Sequence, residues 1–283
     1  MITLSNIPEV QSRLHSARLE KKSIGLVPTM GYLHEGHLSL IRKAKQEHDI
    51  VVVSIFVNPT QFAPTEDLEK YPRDILRDTE LAEKNGCDII FVPTAEEMYP
   101  KGFSSFVTIE GLSSVLEGKF RPTHFKGVST VVLKLFNIIQ PDTAYFGQKD
   151  AQQSSIIRKM VNDLNLPLRI EIVPTVREQD GLAMSSRNVY LNAEQRTNAT
   201  ILYQSLQLAS SMIAKGERDP SAIIRAMDQL INTKHPSQID YIEVVDAETL
   251  EKKQVLRSGD MVLIPLAVRF GTTRLIDNSI LTV

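Results

Sequence analysis

A single cysteine, Cys87, occurs among 283 residues. No intrachain disulfide can form and a zinc cluster built on several cysteines is excluded, so a reducing cytoplasm is the expected compartment. An excess of charge is missing too: 32 basic against 34 acidic residues leave a formal charge of -2. That balance offers no general attraction to nucleic acid or to an anionic membrane, and any anionic ligand must be held by local groups. The longest mainly apolar run, Ile50 to Val57, falls far short of the ~20 residues that cross a bilayer. Polar Ser5, Asn6 and Glu9 stand where a signal peptide would be apolar, so no targeting or membrane segment is expected. With 42% apolar residues, 13 Gly and 14 Pro, the composition is that of a globular protein rather than a collagenous or low-complexity one.

At roughly 150 residues per domain, this length suggests one large domain or two smaller ones. Ile7, Val10, Leu14 and Ala17 recur at helical spacing behind Asn6 as a cap, predicting a first helix. A strand follows over Ile24 to Val27, then a glycine-punctuated loop and a helix from Gly36 to Glu47. Ile50 to Val57 is β-branched and apolar on both faces, as a central parallel strand covered on each side would be. The alternation continues with helices over Arg73 to Lys84, Gly127 to Ile139 and Ala151 to Leu164. Strands are expected over Asp88 to Val92, Ala144 to Phe146 and Leu168 to Val173. Such repeated β-α-β units predict an α/β fold with a doubly wound parallel, Rossmann-like sheet. From Ala193 the pattern changes to two long helices, Ala193 to Lys215 and Pro220 to Ile231, and strands at Tyr241 to Val245 and Met261 to Val268. A second, smaller α+β domain is therefore expected, with the join in the Asp180 to Arg187 stretch and the domains set at 1–184 and 185–283.

Four segments could carry chemistry. Pro28-Thr29-Met30-Gly31-Tyr32-Leu33-His34-Glu35-Gly36-His37 runs from the first central strand into a helix. A helix N-terminus at the carboxyl edge of an open sheet offers N–H groups and partial positive charge to a phosphate. Two imidazoles in the first turn could neutralise charge building up there; the plainer meaning is two surface histidines. The glycine spacing is that of a Walker A loop, but His37-Leu38 replace its Lys and Ser/Thr. His34-Glu35-Gly36-His37 is one residue short of the zinc motif H-E-x-x-H. Phe146-Gly147-Gln148-Lys149-Asp150-Ala151-Gln152-Gln153 is a second strand-to-helix junction. Its lysine suits phosphate, its aspartate ribose hydroxyls and its glutamines a hydroxylated or carboxylated substrate; an ordinary capped helix start is the alternative. Asp180-Gly181-Leu182-Ala183-Met184-Ser185-Ser186-Arg187-Asn188 reads as a mobile polyphosphate clamp or a polar interdomain turn. Asn58-Pro59-Thr60-Gln61-Phe62 places Asn58 and Gln61 at the carboxyl edge of the central strand, or simply ends that strand.

Together these segments resemble the nucleotidyl-transferring group related to class I aminoacyl-tRNA synthetases. His34 to His37 stand for its HIGH motif and Met184 to Arg187 for its KMSKS loop. P-T-M-G-x-L-H-E-G-H, V-S-I-F-V-N-P-x-Q-F, Y-P-R, L-E-G-x-x-R-P-x-H-F-x-G-V, F-G-x-K-D-x-Q-Q, D-G-L-A-x-S-S-R-N and R-L-I-D-N resemble, in order from residue 28 to 278, the pantoate–β-alanine ligase family. The resemblance implies ATP and Mg²⁺ as partners of the reaction and a pantoyl adenylate that β-alanine converts to pantothenate. It also implies a homodimer that works on small molecules without nucleic acid or membrane. Domain 1–184 would bind nucleotide and pantoate, and 185–283 would close over the site. By position, Met30, Gly31, Tyr32, Leu33, His34, Glu35, Gly36 and His37 would contribute to the ATP site, with His37 as the usual proton donor. Gly147 and Asp150 would hold the ribose, Lys149 the phosphates and Val176 the adenine, with Gln148 beside them and Met184, Ser185, Ser186 and Arg187 on the phosphates. Gln61, Gln153 and Asn58 would bind pantoate, and Gln61 would also lie near β-alanine. His34, His37, Lys149, Ser185, Ser186 and Arg187 form the expected catalytic set, with no protein-built metal site. Adenylation transfers no obligatory proton to pyrophosphate, so electrostatic stabilisation by His37 is the preferred reading. Thr123 stands where the family usually has Gly; a positive φ there would strain the loop. The rivals are another transferase of the same superfamily and a noncatalytic nucleic-acid-binding relative, which the charge and the short C-terminal part disfavour.

Overall fold

The computed structural model describes every residue except Thr65 and Asp67, and it divides into two compact units. The first comprises Met1–Gly147 and Gln152–Pro174; the second comprises Gln148–Ala151 and Thr175–Val283. The second unit thus begins at Thr175, ahead of the 184/185 join expected from sequence, and takes in the short Gln148–Ala151 segment.

In the first unit the strands are β1 (Ile2–Leu4), β2 (Ile24–Thr29), β3 (Ile50–Ile55), β4 (Ile89–Phe91), β5 (Thr143–Gly147) and β6 (Arg169–Val173). Among the described residues they form one six-stranded parallel sheet in the order β1-β4-β3-β2-β5-β6. The helices between them are α1 (Ile7–Leu19), α2 (Glu35–Glu47), α3 (Ile75–Lys84), α4 (Ala95–Met98), α5 (Glu117–Phe120), α6 (His124–Ile139) and α7 (Ala151–Asp163). Alternation along each strand sorts the core into two layers. Ile24, Leu26, Val52, Ile89, Phe91, Ala144 and Phe146 pack with α1, α6 and α7. Val27, Val51, Val53, Ile55, Ile90 and Tyr145 pack with α2 and α3. The doubly wound α/β expectation holds. Cys87 is buried in the second layer, and burial pushes its thiol up to about 12, so it is inert.

Strand order reverses between β2 and β5, and ligands of open α/β sheets bind at the carboxyl ends of strands flanking such a switch point. The pairing of β2 with β5 extends only from Gly25–Thr143 to Leu26–Ala144. The N–H of Ile24 meets Asp142 Oδ2 and its carbonyl accepts from the Asp142 N–H. Alternation then turns Leu26 and Pro28 to the same side, so the N–H that Pro28 lacks would have pointed where the ladder has already opened.

The second unit contains α8 (Ala193–Asn198), α9 (Ile201–Ala214) and α10 (Pro220–Asn232). Its strands are β7 (Gln238–Ile242), β8 (Val245–Asp246), β9 (Met261–Phe270) and β10 (Thr273–Thr282). They pair antiparallel, β10-β9-β7 with β8 also on β9, over a separate core that includes Leu202, Leu206, Ile223, Val262 and Leu266. This is the smaller α+β unit foreseen, with two corrections. The helix expected from Ala193 to Lys215 breaks after Asn198, and β10 is a ten-residue strand whose polar Arg274, Asp277 and Asn278 hid it from an apolar pattern. Among the described residues no helix is long and apolar enough to cross a membrane.

Candidate active site

The chain leaving β2 turns sharply before entering α2. Gly31 has φ +84° and Tyr32 φ +50°, two successive left-handed residues. A Cβ on Gly31 would lie 2.9 Å from Ile55 Cγ2 and 3.0 Å from Asp78 Oδ2, so this position requires glycine. Asp78, on α3 and buried, locks the turn by accepting the Tyr32 N–H at 2.6 Å and the Leu33 N–H at 2.7 Å. Burial raises its pKa, opposed by those two N–H groups and by Arg77. Hydrogen bonds to a charged acceptor of this kind contribute about 1.5–3 kcal/mol each.

His34 then caps α2. Its Nδ1 accepts the Gly36 N–H at 3.1 Å, while His37 Nδ1 accepts the His34 N–H at 3.3 Å, a capping box built from two imidazoles. Each Nδ1 acts as an acceptor, so in the neutral ring the proton sits on Nε2. The two rings lie 4.1 Å apart at 39°. Glu35 pairs with Arg42 on the outer face of the helix. The first-turn N–H groups of His34, Gly36, His37 and Leu38 are thus already engaged, and the tip combines the positive end of the helix dipole with two imidazoles whose Nε2 carries the proton, a set suited to phosphate oxygens.

Asn58 and Gln61 bracket a 3-10 turn, Pro59–Gln61. Asn58 is buried; its Oδ1 accepts from Tyr99 Oη at 2.7 Å and Thr60 Oγ1 at 2.9 Å, and its Nδ2 donates to Gln61 Oε1 at 3.0 Å and Gly127 O at 3.2 Å. Gln61 Nε2 lies 3.0 Å from Met30 Sδ, which joins this turn to the end of β2. The backbone of Gln61 is held separately: His124 Nδ1 donates to its carbonyl at 3.0 Å. His124 Nε2 faces Arg121 Nη1 at 3.2 Å, and Arg121 grips Glu66 through Nε at 2.6 Å and Nη2 at 2.8 Å. Burial and the Arg121 charge pull His124 down to about 4, keeping it neutral. Burial works to raise Glu66, but Arg121 and the Ala63 N–H outweigh it and hold the carboxylate low. On α7, Gln152 is turned inward to Leu112 O, Val115 O and the Glu117 N–H, whereas its neighbour Gln153 is half-buried in the first turn. Gly147 ends β5.

The remaining expected residues belong to the second unit. Gln148–Asp150 form a 3-10 turn in which Lys149 Nζ is 3.6 Å from Asp150 Oδ1. Val176 O accepts the Met184 N–H at 3.0 Å, and Arg177 bridges to Ala183, closing the loop that carries Met184 to Arg187. Ser185 caps the 3-10 turn Ser186–Tyr190 by accepting the Arg187 N–H at 3.3 Å, and Ser186 is buried.

A family model described as pantoate-beta-alanine ligase matches residues 2–280. The chain belongs to the pantoate-beta-alanine ligase family. The pantothenate synthetase of Caldicellulosiruptor bescii is 55% identical over 98% of this chain and 98% of its own length. Among solved structures, a pantothenate synthetase from Thermus thermophilus matches at a TM-score of 0.92 and 44% identity over 99% of both chains. A pantoate-beta-alanine ligase from Francisella tularensis, solved with beta-gamma ATP and beta-alanine, matches at 0.83 and 36% identity over 99% of this chain and 97% of the other. This full-length membership makes the chain an enzyme of the ligase family and removes both rival assignments.

Within this pantoate-beta-alanine ligase, sequence reasoning missed several groups that position the site residues. Arg121, His124 and Asn278 lie inside motifs of the family resemblance, but nothing local gave them a role. Asp78 left no local signal, because an aspartate in a polar helical stretch reads as solvated. Thr123 needs no positive φ: its backbone is at -94°, in the right-handed region just ahead of α6, so threonine there carries no strain.

Proposed function

We propose that the protein joins pantoate to β-alanine in two steps driven by ATP. In the first, a pantoate carboxylate oxygen attacks the α-phosphorus, the bond to the bridging oxygen of the β-phosphate breaks, and pyrophosphate leaves. In the second, the β-alanine amine attacks the activated carbonyl, AMP departs and the amine gives up a proton. A carboxylate does not react with an amine at neutral pH, so the mixed anhydride supplies the leaving group.

The observation that carries this reading is the paired imidazole cap of α2, at the carboxyl edge of β2 beside the switch point. With both Nδ1 atoms engaged by backbone N–H groups, the rings are built to donate from Nε2, and His37 serves as a hydrogen-bond and electrostatic stabiliser of pyrophosphate charge rather than as an acid. Met30 to Gly36 form the turn that presents these rings to ATP. Lys149, Met184, Ser185, Ser186 and Arg187 serve the phosphates, Gly147, Gln148 and Asp150 the ribose side, and Val176 the adenine. Gln61 and Gln153 recognise pantoate, with Asn58 holding Gln61 in place. A thioether is a poor acceptor, so the Gln61 amide can exchange Met30 for a substrate oxygen at little cost.

Among the described residues no three of His, Cys, Asp and Glu cluster as a cation cage. Mg²⁺, implied by the family resemblance, would come as the partner of ATP and would neutralise phosphate charge. A cytoplasmic homodimer acting on small molecules accompanies this reading, supported by the family resemblance and the lone buried cysteine. The test is the product balance: purified protein given ATP, pantoate and β-alanine should form AMP, pyrophosphate and the amide in equal amounts. ADP and phosphate would point to an acyl phosphate and overturn it.

A further inference from the structure

The late R-L-I-D-N segment has no role in the mechanism above, yet its last two residues are polar, adjacent and both 3% exposed. Alternation along β10 would bury one and expose the other. Burying two such groups is unfavourable unless their hydrogen bonds are met, and here they are met by two specific loops. Asn278 Nδ2 donates to Gln148 O at 3.0 Å and Lys149 O at 2.9 Å, and its Oδ1 faces Gln148 Nε2 at 3.4 Å. Asp277 takes Arg177 in a two-pronged pair, Nη1 at 2.6 Å and Nη2 at 2.9 Å. Arg177 in turn donates to Gly181 O at 3.1 Å and lies 4.2 Å from the Tyr203 ring centre. Opposite Asn278, β9 carries Pro265, which has no N–H to give the ladder; the Asn278 N–H is taken by Asp277 Oδ1 at 2.8 Å.

We propose that Asn278 and Asp277 are positioning residues for the ATP half-reaction, a staple that fastens the Lys149 turn to the Arg177 loop. Two donors from one planar amide onto successive carbonyls fix the peptide plane that precedes Asp150 and the backbone from which Lys149 projects. The bidentate guanidinium pair fixes the loop that returns through Val176 to Met184. The staple rests on Lys149 acting upon ATP, as read above.

Asn278→Asp keeps the shape and removes both donors. In a folded variant, checked by circular dichroism, adenylate formation should slow about tenfold and the KM for ATP rise with it, while the KM values for pantoate and β-alanine stay within about twofold. On a Lys149→Ala background the same change should add less than about twofold, because its route runs through Lys149. Asn278→Ser, which keeps one hydroxyl donor, should recover part of the loss and serves if the aspartate variant does not fold. An unchanged KM for ATP, an equal rise in all three KM values, or full additivity with Lys149→Ala would overturn the staple. Pantoate-dependent AMP formation by the unmutated enzyme separates the two readings. If it is absent, the function fails and the staple with it; if it is present, an unchanged ATP KM removes the staple alone.

Discussion

The tip of α2 and the Lys149 turn are both proposed to serve phosphate, but they are held in opposite ways. His34 and His37 are fixed by backbone groups two and three residues away, and the turn before them by one further anchor, Asp78, 46 residues beyond Tyr32. The Lys149 turn is fixed by Asn278, about 130 positions later in the chain. The first arrangement needs little beyond its own helix. The second exists only if the β9–β10 hairpin is formed, so damage to the hairpin should disable lysine chemistry while leaving the histidine cap intact.

The largest expected effect tests the lysine directly. Lys149→Ala should slow adenylate formation by about 10²–10³, roughly 3–4 kcal/mol, as loss of an oxyanion donor does. Single-turnover assays started from preformed pantoyl adenylate should be nearly unaffected; equal slowing of the β-alanine step would refute the division of labour. Next comes acid. His124 sits near 4 in the folded state against an ordinary 6.5, so the unfolded chain takes up a proton that the folded chain refuses. Stability is therefore full above about pH 6.5 and falls as pH drops towards 4, by at most about 3 kcal/mol. Thermal melts between these limits should show that slope, and His124→Asn should flatten it. A slope unaltered by the substitution would place the acid sensitivity elsewhere.

Gly127→Ala sharpens the contrast within the first unit. A Cβ there would stand 2.4 Å from Thr60 O and 2.6 Å from Gln61 Cα, so α6 must retreat from the Pro59–Gln61 turn. Overpacking of this kind destabilises by about 1–3 kcal/mol. The melting temperature should fall by several degrees and the pantoate KM should rise, with the α2 tip undisturbed; an unchanged pantoate KM would detach that turn from pantoate. The smallest effect is expected at Gln153, whose replacement by Ala should raise the pantoate KM about tenfold, near 1.4 kcal/mol. The ATP KM should stay within a few-fold, and a larger shift in it than in the pantoate KM would reassign the residue.

This contrast also explains what could be read from the sequence. The parallel sheet was legible because β2 to β5 are apolar runs that alternate with amphipathic helices, and the two histidines could be placed in the first turn of α2, although the capping box they form there was not read. The staple was not, since its members come from residues 148, 177 and 278 and no local pattern marks Asn278 as anything but a polar residue on a strand. Asp78 and His124 were hidden for the same reason: each acts on backbone groups tens of residues away. Fold class follows from periodicity, whereas the groups that orient a site follow from tertiary contacts that periodicity does not encode.

The two-step account is tested most directly by ATP–pyrophosphate isotope exchange with pantoate present and β-alanine omitted. If pantoate is activated before the amine arrives, label should pass into ATP at a rate that depends on pantoate and not on other acids. Exchange that appears only when β-alanine is added would contradict the adenylate intermediate, because all three substrates would then have to assemble before any bond is broken.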